Sequence, residues 1–357
     1  MSGRVDPDAV AAQVLRELPA GGDHLDVLRA AAAALRGRLG YDVAVWATVD
    51  PVTTMWTSCL LDGMARDPAL EAAVFDNEYR ADDVLKLSDL AAAGRSGTAW
   101  NATRGDVTTS VRHRDLLGPA GFDDELRVVL TDGVTPWGAL LLLRGGTPFD
   151  AGETRTVDAM ARGLATALRG GLLRGGSPAA PTGTVGPAGL VLCGPDGSVT
   201  AMTDEAADLL GRSRGTATVE APGVRGLPQV LASVLASRRA GGPSTASAPT
   251  DDGRWLLFTA TSLAGTEAVA VEQLPAHRWA DLLVRGHGLT PRERDVLLLV
   301  AAGRTNRQVA SQLGISDFTV GDHLKAVFAK MGVGSRGELV ASLFQDAFAP
   351  LHRSDVC

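Results

Sequence analysis

The chain has 357 residues, 45% apolar and 21% charged, long for a single fold and able to bury more than one core. Its formal net charge of −7 speaks against loose, charge-driven attachment to nucleic acid, so any such role has to sit in a local segment. No run approaches the roughly 20 apolar residues of a membrane span, and residues 1–20 lack the apolar core of a secretory signal, so the expected location is cytoplasmic.

In chain order, residues 5–18 and 25–39 repeat Leu and Val at three- and four-residue spacing and are predicted as helices, the second stopped by Gly40. Residues 41–48 alternate as a strand does, 68–80 favour helix, and 88–109 are turn-rich and ambiguous. Residues 125–130 and 137–144 read as a hairpin closed at Asp132-Gly133, after which Pro148-Phe149-Asp150 opens a helix to about Leu168. Residues 170–187 are mostly Gly, Pro, Ser and Thr, too poor in apolar side chains to fold alone, and are read as a linker. Strands at 189–192 and 198–201 then flank Asp196-Gly197, with helices at 204–210 and 227–238. A polar loop at 241–250 precedes a closing hairpin at 255–263 and 268–273, and 275–286 connects to the last domain as a helix. The expected domains are thus 1–169, 188–274 and 288–357, with 170–187 as linker and 275–287 as connector.

Within the first of these, the 125–132 strand, the Trp137-Gly138 opening, Pro148-Phe149-Asp150 and the helix that follows resemble a GAF domain. That resemblance implies a sheet flanked by helices, often holding a small ligand; the Asn-Lys-x-Asp-type motif of its cyclic-nucleotide-binding members is absent. The 189–211 stretch is similar to the opening of a PAS domain, with Ala206, Leu209, Leu210 and Gly211 on its helix and Thr203 where Asn is common. Small-ligand pockets favour aromatic linings with a few polar groups, so Trp46, Trp56, Tyr79, Asp82, Trp100, Arg127 and Trp137 are candidate pocket residues, a plain Trp-rich core being the alternative. The cofactor is unknown. Cys59, Cys193 and Cys357 show no C-x-x-C spacing, and His113 with Cys59 has no ligand spacing either, so no metal site is expected.

The last seventy residues carry the densest punctuation. Thr290 as N-cap, Pro291 at the first helical position and Glu293 two residues on make a capping box, with Val296, Leu297, Val300 and Ala301 facing inward until Gly303. A second helix, near 305–313, buries Val309, Ala310 and Leu313, and Gly314 turns the chain. Ser316 caps a third helix with Val320, Leu324, Val327 or Phe328, and Met331 inside; a fourth, from Ser335, buries Leu339, Val340 and Leu343. Two short helices across a glycine turn, the second polar outside, form a helix-turn-helix. Leu289-Thr290-Pro291-Arg292-Glu293-Arg294, Gly303, Asn306, Ala310, Leu313, Ile315-Ser316, Thr319-Val320, His323-Leu324, Phe328, Lys330, Gly332-Val333 and Ser335-Arg336 resemble the LuxR-type domain almost position by position.

That resemblance implies that the third helix enters the major groove of double-stranded DNA. Its outer face, Phe318, Gly321, Asp322 and Lys325, supplies the base-reading candidates; Arg304, Asn306, Arg307, Thr319, His323 and Lys330 are phosphate candidates. Family members often carry Lys or Arg directly after the Thr-Val pair, and here that position is Gly321, so one usual contact is missing. Between 289 and 344, seven basic side chains stand against five acidic, so the segment is only mildly basic. Leu339, Leu343 and Phe344 are dimer-contact candidates, and the implied partners are a second copy, DNA, RNA polymerase and a small-molecule effector, with no membrane.

Phosphate-loop, G-x-S-x-G and H-E-x-x-H motifs are missing, so an enzyme is not expected. The expected fold is multidomain: α+β sensor domains, GAF-like and PAS-like, followed by an all-α four-helix helix-turn-helix domain. The expected function is that of a dimeric, sequence-specific transcriptional regulator sensing a small molecule or partner, the alternative being a dimerising scaffold regulator without a small ligand.

Overall fold

The computed structural model describes every residue except 1–5, 66, 95–96, 100–108, 175–187, 195–198, 212–217, 222–223, 251–254 and 348–357. The described residues form two compact units, one from the chain up to Gly175 together with Gly186–Gln273, the other from Leu274 onward. Among them no helix is long and apolar enough to cross a membrane.

The first unit opens with α1 (Pro7–Arg16) and α2 (His24–Leu35), capped by Asp6 and Asp23, whose carboxylates accept amide hydrogens of the first turn. Then come β1 (Val43–Val49), β2 (Trp56–Asp62), α3 (Pro68–Tyr79), α4 (Leu87–Ala92), β3 (Gly97–Ala99), β4 (Asp124–Thr131), β5 (Pro136–Arg144) and α5 (Ala151–Arg174). The strands make one antiparallel sheet in the order β2-β1-β5-β4-β3. Strand alternation sends Gly138, Leu140 and Trp46 to the face under α5: a Cβ on Gly138 would lie 2.8 Å from Leu168. On the opposite face Ala47, Val129, Ala139 and Leu141 pack against Phe75, Leu85, Leu87 and Leu90.

α5 runs past the expected linker boundary to Arg174, with Gly171 and Leu172 buried. The physical reason is close approach rather than flexibility: a Cβ at Gly171 would sit 2.7 Å from the backbone nitrogen of His24. The rest of the expected linker, 175–187, and the Asp196-Gly197 turn lie outside the described residues.

β6 (Gly189–Cys193), β7 (Val199–Met202), α6 (Asp204–Gly211), β8 (Thr218–Ala221), β9 (Val224–Pro228), α7 (Gln229–Arg239), β10 (Thr245–Pro249), β11 (Trp255–Leu263) and β12 (Thr266–Gln273) complete this unit. Five of these strands form a second antiparallel sheet, β10-β11-β12-β6-β7, while β8 pairs with β9. β10 replaces part of the expected polar loop; its inward positions are Ala246 and Ala248, whose small side chains leave no hydrophobic alternation to read. The two sheets, expected as separate modules, share a core. α7 is buried nearly all round: Val230, Leu231, Val234 and Leu235 pack with Phe258 and Val269 of the second sheet, and Ala236 with Trp56 and Ala139 of the first.

The second unit is helical: α8 (Ala276–Gly286), α9 (Pro291–Ala301), α10 (Asn306–Leu313), α11 (Asp317–Met331) and α12 (Arg336–Ala347). Val296, Leu297, Val300, Val309, Val320, Val327 and Leu339 are fully buried at its centre. The expected connector is a helix that joins this core through Val284, whereas Ala301 and Val340, read as inward-facing, are exposed.

Candidate nucleic-acid interface and interior cleft

Local hydrogen bonding sets the helix-turn-helix. Thr290 accepts from the Glu293 amide at 3.3 Å while the Glu293 carboxylate accepts from the Thr290 amide at 2.7 Å, closing the capping box at the start of α9. Thr305 and Gln308 repeat the device on α10. Gly314, at φ +66, ends α10 in the left-handed region, and Ser316 accepts the Thr319 amide at 3.1 Å to start α11. Val320, Leu324, Val327 and Met331 anchor α11 inward.

Three of the four base-reading candidates are exposed on the opposite side. Phe318 is 76% exposed, with no role in the core. Asp322 and Lys325 form an exposed ion pair at 3.1 Å, one helical turn apart, and such pairs are weak and exchange readily for other partners. A Cβ built on Gly321 meets nothing within 4 Å, so the missing side chain leaves open space.

The phosphate candidates divide into free and committed side chains. Arg304 and Arg307 are exposed. Thr319 shares a hydrogen bond with the Ser316 hydroxyl at 2.8 Å, and His323 is half-buried. Asn306 accepts weakly from Arg336, which also reaches the carbonyls of Arg304 and Val300 and so ties α12 to the start of α10. Lys330 donates to the Gly288 carbonyl at 3.1 Å and to Glu293 at 2.6 Å. Burial opposes the charge on Glu293, but that ammonium and the Thr290 amide hold its carboxyl below the usual carboxylate range. Lys330 is thus an internal strut.

Of the dimer-contact candidates, Leu339 faces inward. It is fully buried in the domain core, and Leu343 packs partly against the same core, because α8 adds a fifth helix for this apolar stripe to cover. The outward apolar residue of α12 is Val340, 39% exposed; the Phe344 side chain and Phe348 lie outside what is described.

In the first unit the pocket candidates separate likewise. A cleft partly open to solvent lies between the first sheet and α3, with Trp56 on its wall beside Val43, Val45, Phe75 and Leu141. Trp46 is fully buried on the α5 side, and Trp137, also fully buried, donates to Asp132 at 3.1 Å. Asp82 is exposed, Tyr79 stacks on Phe75 with its hydroxyl accepting from the Trp56 amide, and Trp100 lies outside the described residues. Arg127 is 0% exposed: it donates to Glu78 at 2.8 Å and to the Leu85 carbonyl at 2.6 Å, and its Nε lies 3.1 Å from Glu125. A residue missed in the sequence, Arg112, completes this cluster by pairing with Glu125 at 2.8 Å and Asn77 at 3.1 Å, while its amide donates to Asp83. Arg112 lies just past the turn-rich 88–109 stretch, and nothing in its sequence neighbourhood marks it. Burial works against the charge of Glu125, but the two guanidiniums overcome it and keep its carboxyl below its ordinary value.

Residues 287–343 match the profile of the bacterial regulatory proteins of the luxR family. An HTH-type transcriptional regulator of Mycobacterium bovis is 40% identical over 86 residues, 22% of this chain and 9% of that protein. The nitrate/nitrite response regulator protein NarL of Escherichia coli is 43% identical over 58 residues, 16% of this chain and 27% of that one. The chain therefore covers under a third of the length of these two relatives. A crystal structure of a Vibrio cholerae VqmA–ligand–DNA complex aligns with 47% of this chain and 88% of its own at 16% identity, with a TM-score of 0.23. The capped helices, the glycine turn and the profile match together assign residues 287–343 to the helix-turn-helix domain of the luxR family of bacterial regulatory proteins.

Proposed function

We propose that the chain is a sequence-specific, DNA-binding transcriptional regulator that acts as a dimer, and that its N-terminal unit responds to a small molecule. The carrying observation is the outward face of α11, where Phe318, Asp322 and Lys325 are exposed around an empty Gly321 while every inward position serves the core. A helix presented this way fits the major groove, with the exposed Arg304 and Arg307, before and on α10, read as fixing register on phosphate. The M. bovis and E. coli relatives are named as regulators, which supports the reading. Two antiparallel sheets with covering helices are read as GAF-like and PAS-like sensor folds, residues 1–169 and 188–274, feeding a signal to the domain at 288–357.

Selection of genomic fragments by the purified chain, followed by titration of the best fragment at several salt concentrations, tests this. The expected result is an inverted repeat with half-sites about one helical turn apart and a clear salt slope. Failure to enrich any sequence, with or without added effector, overturns it.

A further inference from the structure

We propose that the cleft between the first sheet and α3 is a binding site for an uncharged, mainly apolar aromatic molecule whose single hydrogen-bond donor is received by Gln229. This rests on the small-molecule reading above and gives it a site and a ligand class.

The wall is apolar, and Trp56 meets Phe75 edge to face at 5.4 Å, leaving an aromatic surface for rings to lie against. The ionic groups that line it are committed: Arg112 and Glu125 face each other at 2.8 Å with side chains 2% and 5% exposed. Asp67, at the rim, accepts the amides of Ala69 and Leu70 at the start of α3. With Glu71 it disfavours an anion. A cation would lose its water against the apolar wall, where Glu125 already serves two arginines. A neutral ligand meets neither cost.

Gln229 supplies the polar handle. It is 1% exposed and lines the cleft; its amide nitrogen donates to the Cys59 sulfur at 2.8 Å, and its amide oxygen has no donor among the described residues. A buried acceptor left without a donor is costly, and a ligand N–H or O–H at that point removes the cost. Gln229 is also the first residue of α7, the helix packed between both sheets, so an occupant touches the element that joins them.

The test uses the full chain with diphenylamine, which is uncharged and has one N–H, and diphenylmethane, which replaces that N–H with a methylene. Equilibrium dialysis should show saturable binding of one diphenylamine per chain, about tenfold tighter than diphenylmethane. Gln229→Leu should bring the two affinities within about twofold. Val74→Trp, which fills the cleft from a half-buried position on α3, should weaken both at least about tenfold while thermal melting confirms folding. Absence of saturable binding, equal affinities in the unaltered chain, or binding indifferent to Val74→Trp overturns the proposal. Intact, Gln229-dependent binding that leaves DNA affinity unchanged upholds the site and removes the sensing role from the function proposed above.

Discussion

At the scale of single residues, Gly321 is the position where the outward face of α11 carries no side chain, a gap that can be filled. Open space around its Cβ means that Gly321→Lys meets no steric resistance. Replacing a mid-helix glycine should stabilise α11 by about 1 kcal/mol. An added cation on this face should also steepen the salt dependence of DNA binding by about one counterion. Titration at several salt concentrations checks both affinity and slope, and an unchanged slope removes this face from the interface. Lys325→Ala should act oppositely, weakening specific binding by roughly 1–3 kcal/mol through a lost base contact. These residues were legible in the sequence because caps, glycine stops and helical spacing determine the inward face, and the outward face is what remains. Leu339 misled for a related reason: periodicity marks an apolar stripe but does not say whether the same domain or another copy covers it.

Among elements, a buried ionic cluster joins α3, β4 and the short helical segment that carries Arg112 before β4. Arg127→Met leaves Glu78 buried without its guanidinium, a loss of about 3–5 kcal/mol by the usual cost of breaking a buried pair. A fall in thermal melting temperature with denaturant unfolding checks it. Asp83 and Glu125 are both held below their ordinary values in the folded chain: burial opposes their charge, and the Arg112 amide, Asn77 and the guanidiniums outweigh it. Their stabilisation is therefore complete above the unfolded carboxylate range near about pH 4 and is lost as pH falls through the lower folded values. Acid titration followed by tryptophan fluorescence should show this loss, with a shallower pH dependence in Glu125→Gln. A different element contact, α2 on α5, makes Gly171→Ala destabilising. Helix propensity favours alanine by about 1 kcal/mol, but the new methyl meets the His24 backbone, which cannot swing aside, and overpacking of this kind costs about 1–3 kcal/mol. An equal or raised melting temperature for Gly171→Ala counts against this packing. Neither feature was visible in the sequence. Arg127 reads as a pocket candidate rather than an ion-pair partner, and Gly171 reads as the start of a linker, until the facing element is known.

For the molecule as a whole, the two units are built on different principles. The helical one closes its core between neighbouring elements, α9 to α12, with only α8 added from upstream. In the other, β1 must find β5 across everything between them, β12 must return to β6, and α7 must lodge against both sheets. Pairings so distant along the chain cannot form until long loops have closed, and folding rate falls with that separation. After dilution from denaturant the full chain should therefore regain its signal in two separated phases: a rapid gain of helix within milliseconds, then a slower recovery of sheet and buried tryptophan over milliseconds to seconds. A single phase shared by far-ultraviolet circular dichroism and tryptophan fluorescence contradicts this. The helix-turn-helix, although made after the sheets on the ribosome, would then reach its native form while those earlier strands are still searching for their partners.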